Sequence, residues 1–292
     1  MNPLRRAIVG AACLLATALP FASAATAAET LYFSAIPDED ATALSERFDK
    51  VAAYLSDKLG VDVKFVPVKT YPAAVTAFTN DQVQLAWFGG LTSVQARLAN
   101  PGAQSIAQGK EDTQFISYFI ANKSTGLAKS DSFPADAKGK SFTFGAKTST
   151  SGRLMPEFYI RKETGEAPEA FFSKVGFSGD HSQTLRLVSS GAYDIGALNF
   201  AVYDKAVADK LPELDTVDVI WQTPPYPDYN WVIRGDVDQR FGEGFTKKVQ
   251  DALVGMTDPD LLASFPREAF IPATNAEFDA IEQTGKELGL LE

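Results

Sequence analysis

Two hydrophobic periods take turns along this chain of 292 residues. Leu31-Tyr32-Phe33-Ser34-Ala35-Ile36 reads as a strand. Ala41 to Leu59 sets its apolar residues near a 3.6 period, is stopped by Gly60 and reads as a helix, and Val61 to Val68 returns to alternation as a second strand. Tyr71 to Thr79 predicts another helix, and Val83 to Trp87 a strand running into Phe88-Gly89-Gly90. This strand–helix–strand grammar predicts an α/β fold with a largely parallel sheet. A loose internal echo doubles it: residues 77–86 and 187–196 each combine a helix end, a polar turn and a short strand. Each half thus delivers a loop at the carboxyl edge of its own sheet, at Trp87 to Gly90 and at Ala197 to Phe200, and such edges are where open α/β sheets bind ligands. Two lobes facing one another across those edges make a cleft.

The N-terminus changes the picture by placing the protein. Met1 to Arg6 is short and basic, Ala7 to Phe21 is apolar, and Ala22-Ser23-Ala24 has the small residues a signal peptidase reads, so residues 1–24 are expected to be a signal peptide. Ala27 and Ala28 are alternative cleavage points, and Cys13 follows the basic pair too closely for a lipoprotein signal. No other stretch has the apolar length of a bilayer span, so a soluble periplasmic chain is expected. Cleavage removes the only cysteine, hence any disulfide, thiolate nucleophile or cysteine metal site. It also removes Arg5 and Arg6, taking the formal charge from −10 to −12. Such a surface repels nucleic acid and anionic lipid, and an anion site on it must work through local donors and dipoles.

The candidate chemistry centres on Thr148-Ser149-Thr150-Ser151-Gly152, between a strand-like segment (Ser141 to Gly145) and a helix-like one (Leu154 to Lys162). A strand feeding a hydroxyl-rich turn into a helix N-terminus gathers free N–H groups, the positive dipole end and several O–H donors at one point, an anion cradle. Ser and Thr are also favoured N-caps, but four consecutive hydroxyls exceed what capping needs. His181 is the only histidine, and Gly179-Asp180-His181-Ser182 precedes a helix (Gln183 to Ser190) in the same way. A lone histidine is commonly structural, and a donor role toward the same anion is the equal alternative. One histidine cannot assemble a His-rich metal site, and the chain has no Gly-x-Ser-x-Gly elbow for a Ser-His-Asp hydrolase.

Tyr71, Trp87, Phe88, Tyr226, Tyr229 and Trp231 are candidates to line the cleft, although aromatic residues are core residues by default. The rigid stretch Pro224 to Trp231 has little reason to be wholly buried. Arg153 reads as a solvated residue of a first helical turn. Asp38, Glu39 and Asp40 read as a solvated acidic first turn.

Ala35-Ile36-Pro37-Asp38-Glu39, Leu85-Ala86-Trp87-Phe88-Gly89-Gly90, Phe142-Thr143-Phe144-Gly145 followed by Ser149-Thr150-Ser151-Gly152, and Ser178-Gly179-Asp180-His181 resemble, in order, the phosphate/phosphite/phosphonate substrate-binding proteins of bacterial ABC transporters. The similarity runs from about Leu31 into the C-terminal helices. Ser34 to Glu39, Ala197-Leu198-Asn199 and Thr223-Pro224-Pro225-Tyr226 most resemble the selenate-binding subgroup. The resemblance implies a two-lobed type II periplasmic binding fold, with a mixed, mostly parallel sheet in each lobe and a two-strand hinge. Residues 25–120 would open one lobe, 121–223 form the other, and 224–292 return to the first and supply the C-terminal helices. The crossings are expected near Phe119-Ile120-Ala121 and Trp221-Gln222-Thr223. It further implies that Ser149, Thr150 and Ser151 hold an oxyanion with His181 and Tyr71 beside them, and Phe88, Asn199 and Tyr226 complete the expected binding set. Phe88 departs from the tyrosine of phosphonate binders. Leu198-Asn199-Phe200-Ala201 lacks the acid that aminoalkylphosphonate binders carry.

The expectation is a monomeric periplasmic receptor that captures a small oxyanion and passes it to a membrane ABC permease, without catalytic residues, metal, cofactor or nucleic-acid partner. A selenium or sulfur oxyanion, selenate- or selenite-like, is the expected ligand, because selenate and sulfate are fully deprotonated and call for donors and no facing carboxylate; Asp180 and Asp228 are the acids that would spoil this. The alternatives are a phosphonate or phosphite receptor of the same fold, a sensor presenting to a membrane histidine kinase, and a secreted hydrolase.

Overall fold

A computed structural model describes residues 29–291; the expected signal peptide, its cleavage sites and Cys13 lie outside the described residues. The strands are β1 (Leu31–Ala35), β2 (Val63–Phe65), β3 (Leu85–Phe88), β4 (Gln104–Gly109), β5 (Ser117–Asn122), β6 (Ser141–Phe144), β7 (Lys174–Phe177), β8 (Ile195–Asn199), β9 (Val217–Gln222), β10 (Asn230–Ile233) and β11 (Phe270–Pro272). The helices are α1 (Ala41–Leu59), α2 (Tyr71–Thr79), α3 (Gly90–Ala99), α4 (Met155–Thr164), α5 (Pro168–Phe171), α6 (His181–Ser189), α7 (Phe200–Asp209), α8 (Val237–Phe241), α9 (Phe245–Val254), α10 (Pro259–Ser264) and α11 (Asp279–Glu287).

Local signals set the elements nearest the cleft. Asp40 caps α1 by accepting from Thr42 N–H at 2.9 Å, and Gly60 ends it in the left-handed region at φ 68°. Leu44, Phe48, Val51, Leu55 and Leu59 form its buried face. β3 extends through Phe88 and α3 begins at Gly90, so only Gly89 separates them. β8 likewise passes into α7 through the N-cap Asn199, whose Oδ1 accepts from Val202 N–H at 2.7 Å. The expected loops at 87–90 and 197–200 are therefore two abrupt strand-to-helix junctions, which aim helix N-termini at the cleft.

The strands form two sheets, ordered β11-β4-β10-β3-β1-β2 and β7-β6-β8-β5-β9. β1 pairs in parallel with β2 and β3, and β6 with β7 and β8, as strand–helix–strand units require. β10 runs antiparallel between β3 and β4, and β5 antiparallel between β8 and β9. Both sheets are thus mixed, with more antiparallel pairing than the βαβ pattern predicts, because a strand arriving from the other lobe runs against its host sheet.

Phe119–Ala121 and Trp221 lie inside β5 and β9, so the crossings fall beside the expected positions, at 110–116 and 223–229. There Phe115 and Tyr226 exchange backbone bonds of 2.8 and 2.9 Å, and Asp228 N–H donates to Asp112 O at 3.0 Å. Tyr226 and Tyr229 are buried because their segment is the link between lobes, and Trp231 because it lies inside β10, so these aromatic residues of the proline-rich stretch are buried where the sequence offered little reason for it. Trp87 and Trp231 pack at 5.3 Å with Phe265 and Phe270 around them in the first lobe; Phe119, Phe133, Phe142 and Trp221 cluster in the second. Among the described residues no helix is long and apolar enough to cross a membrane.

Candidate functional site

The hydroxyl run lies between β6 and α4, where residues 150–154 form a π-turn. Its wider loop is closed by Leu154 N–H donating to Ser149 O at 3.0 Å, an arrangement frequent at functional sites. Ser149 is the cap: its Oγ accepts from Gly152 N–H at 2.9 Å and keeps its own proton for donation. Thr150 Oγ1 accepts from Leu91 N–H of α3 at 3.0 Å, a bond between lobes. Ser151 Oγ is buried without a well-formed hydrogen bond, although it lies close enough to the Asp228 carboxyl and the Tyr226 hydroxyl to bias both. The three hydroxyls the sequence placed together thus divide into a cap, an interlobe contact and a free donor.

His181 begins α6 and is completely buried. Its Nδ1 accepts from Asn199 N–H at 3.2 Å, while Nε2 has no partner. Burial drives the imidazole pKa down to about 3, so the ring is neutral at physiological pH. With Nδ1 accepting, the proton resides on Nε2, a buried N–H donor beside the cradle. A Cβ on Gly152 would stand 3.0 Å from Ser149 Oγ and 3.1 Å from His181 Cε1, which measures how tightly turn and imidazole meet.

From the first lobe comes Tyr71, the first residue of α2, buried with an unpartnered hydroxyl. Burial, the charge of Asp38 and, less strongly, that of Asp228 hold its pKa well above the ordinary phenol value, so it too is a donor. Tyr226 is fixed at the hinge, its hydroxyl against Ser117 Oγ, which donates to Ser151 O at 2.7 Å. The remaining two expected site residues serve elsewhere. Asn199 spends Oδ1 on capping α7 and donates through Nδ2 to Tyr229 Oη at 3.0 Å, tying the lobes together. Phe88 is fully buried edge-on against Phe78 at 5.7 Å and brings no polar atom.

Two carboxylates complete the cluster. Asp228 lies on the return crossing, where Oδ1 accepts from Gly90 N–H at 2.9 Å and Oδ2 is buried and unpartnered. Burial raises its pKa to about 7, against the pull of Gly90 N–H and the nearby Thr150 and Ser151 hydroxyls. Asp38, just beyond β1, is 3 % exposed with Oδ1 unpartnered, and is not part of a solvated turn. Burial, then the charge of Glu39, raises its pKa to about 6, while Arg47 opposes the rise. Asp38 O also accepts from His181 N–H at 3.0 Å across the lobes. Glu39 pairs with Arg47 at 2.6 Å, and Asp180 caps α6 through Gln183 N–H at 2.7 Å. Arg153 is held by Glu157 and lies over Phe144, 4.4 Å from the ring centroid, so it is not a solvated residue.

The sequence reading passed over Asp38 as a carboxylate facing the cleft. Its position at the carboxyl end of β1 was the available signal. Perturbed carboxyls and unpartnered donors (Ser151 Oγ, His181 Nε2, Tyr71 Oη) gathered between two lobes mark a functional site. Such an arrangement has the chemistry to hold an anion through neutral donors and to accept a proton from it. Outside Tyr71 the lobes border a groove of about 660 Å3 flanked by Lys69, Lys147 and Arg186. Among the described residues no group of three or more His, Cys, Asp or Glu is placed to hold a metal ion.

Comparison with known proteins agrees with this geometry. Residues 33–278 match the family model described as the ABC transporter, phosphonate, periplasmic substrate-binding protein. The chain is 39 % identical over 267 residues to PhnD1 of Prochlorococcus marinus (strain MIT 9301), described as a probable ABC transporter phosphite binding protein; the match covers 89 % of this chain and 90 % of that one. The 1.52 Å structure of that organism's PhnD1 in complex with methylphosphonate superposes with a TM-score of 0.85, covering 89 % of this chain and 98 % of the other. The phosphonates-binding periplasmic protein of Escherichia coli (strain K12) is 26 % identical over 216 residues, covering 73 % of this chain and 63 % of its own length.

Proposed function

We propose that this chain, which belongs to the family of periplasmic phosphonate-binding components of ABC transporters, captures a small phosphorus oxyanion that retains a proton, namely phosphite or methylphosphonate. As a member of that family it is a binding protein that serves a membrane permease and not an enzyme. The observation that carries the ligand class is Asp228 Oδ2, a buried acceptor without a partner beside the donors of residues 149–151. A singly protonated phosphite or phosphonate donates to that oxygen while its other oxygens take the donors. Selenate and sulfate have no proton to give, and a charged carboxylate facing a dianion in a poorly solvated site repels it. The case for a selenium or sulfur oxyanion rested on a cradle without carboxylates, and Asp228 and Asp38 remove that premise.

The side chain of Asn199 argues in the same direction. Asn199, where aminoalkylphosphonate binders carry an acid, is committed to Tyr229, which favours a ligand without an aminoalkyl arm. The resemblances to a protein described as phosphite-binding and to a methylphosphonate complex point to the same class. Competition calorimetry on ligand-stripped protein with phosphite, methylphosphonate, phosphate, 2-aminoethylphosphonate, selenate and sulfate tests the reading. Micromolar or tighter binding of the first two is expected. Tight selenate or sulfate binding with none for phosphite or methylphosphonate would overturn it.

A further inference from the structure

Two openings between the lobes differ in charge. The smaller, about 150 Å3, is lined by Glu39, Asp40, Asp209 and Glu213 with the cations Arg186 and Lys205. Both cations are engaged there: Lys205 pairs with Asp209, and Arg186 faces Glu213 at 4.0 Å. The larger opening is the groove of about 660 Å3 outside Tyr71, with Lys69 of the first lobe on one wall and Lys147 of the second on the other. Both lysines are exposed, and among the described residues neither is in an ion pair. The acids of this groove are committed, Glu39 to Arg47 at 2.6 Å and Asp40 and Asp180 as the N-caps of α1 and α6. Helix α2 begins here too, at Tyr71, so three helices start in the walls with their positive dipole ends. Tyr71 is 2 % exposed with an unpartnered hydroxyl, and it stands between the groove and the donors of the cleft. Lys69 lies two residues before Tyr71 and Lys147 two before Ser149, so each lysine stays beside its own half of the site whether the lobes are apart or together.

We propose that this groove is an encounter site for small oxyanions: Lys69 and Lys147 collect the anion at the mouth, from which it passes behind Tyr71 as the lobes close. The proposal rests on the reading of the interlobe cleft as the binding site. A chain with a formal net charge of −10 repels anions at long range, and two unpaired ammonium groups at this mouth supply the local attraction that the whole surface lacks. At low ionic strength an ammonium about 7 Å from a monoanion in water raises its local concentration about threefold, and two such charges about sevenfold. That attraction acts before the lobes enclose the anion, so it enters the association rate and its salt dependence and leaves the dissociation rate nearly unchanged.

The test is stopped-flow binding of phosphite and methylphosphonate to the mature protein carrying Lys69→Met, Lys147→Met or both, changes that keep the apolar stem and remove the charge. Lys129→Met removes the same charge from a depression beside the hinge and serves as the control. At about 10 mM salt each single groove variant is expected to slow association about threefold and the double variant about sevenfold, with dissociation within about twofold of wild type. Lys129→Met should leave both rates unchanged. At about 1 M salt, where screening acts within about 3 Å, the differences should vanish. Wild-type association in the double variant, equal slowing by Lys129→Met, or a loss carried by dissociation overturns the encounter site. If wild-type protein binds neither anion in the cleft, the functional reading fails by itself, and an amide-shift titration with phosphite at low salt still decides the groove. Shifts at Phe177 and Gly179, both in its wall, that the double variant lacks uphold it, and their absence from wild type overturns it.

Discussion

Replacing Asp228 by Asn separates the two jobs this side chain performs. Oδ1, which holds Gly90 N–H at 2.9 Å, survives as the amide oxygen, so the start of α3 stays anchored. Oδ2, the unpartnered acceptor, becomes an NH2 donor. A proton-carrying ligand then loses a hydrogen bond to a charged group, worth about 1.5–3 kcal/mol, so phosphite and methylphosphonate should bind about ten- to a hundredfold more weakly. A dianion gains. With the carboxyl titrating at about 7, sulfate binding at pH 8 first requires its protonation, about 1.4 kcal/mol per pH unit above that pKa. Relief of that requirement, with the new donor, should strengthen sulfate and selenate at least about tenfold. The phosphite-to-sulfate preference should thus collapse by two or more orders of magnitude at pH 8. Isothermal titration of both anions on wild-type and variant protein, with thermal melts as a folding control, gives the number. A folded variant that weakens both anions equally, or neither, would refute the proton-acceptor role.

Three further outcomes follow from the same geometry. His181 should show no imidazole titration between pH 5 and 8 by nitrogen NMR, given its pKa of about 3, and His181→Ala should weaken anion binding about ten- to a hundredfold; a transition near pH 6.5 would contradict the neutral-donor assignment. In the ligand-free protein Asp38 and Asp228 titrate above their unfolded value, so the stability they contribute at low pH is lost as pH rises through about 6 and 7, whereas the depressed His181 costs stability only below about 6.5. Melting temperature should therefore fall from pH 6.5 to 8, and Asp228→Asn should flatten the fall; an unchanged slope would contradict the buried-acid reading. Finally, Arg267 grips Asp112 with bonds of 2.8 and 2.7 Å in the buried hinge, so Asp112→Asn should destabilise the fold by about 3–5 kcal/mol in denaturant melts, and a loss below about 1 kcal/mol would show the pair to be dispensable.

Short-range signals carried much of this protein into its sequence. The 3.6-residue spacing from Leu44 to Leu59, with Asp40 before it and Gly60 after it, defines α1 without reference to the rest of the chain. Tyr71–Thr79 and the strand β6 ahead of the hydroxyl run are legible for the same reason, since capping and periodicity are local. The chemistry of the cradle was legible too, because Ser149 to Ser151 are consecutive and His181 is the single histidine. The division of labour among those hydroxyls was decided by partners far along the chain: Leu91 takes Thr150, Gly152 takes Ser149, and Ser151 is left free. The charge of the site belongs to the same category. Asp38 looks like one more acid before a helix until the second lobe covers it, and Asp228 is one residue of a proline-rich stretch until the return crossing carries it to the start of α3. Burial raises both carboxyls, and burial is a property of the assembled lobes. Residue types and their local spacing therefore announced a candidate anion site, while only the tertiary structure, by setting which oxygens are desolvated and left without partners, brought unpartnered carboxyl oxygens of Asp38 and Asp228 to it.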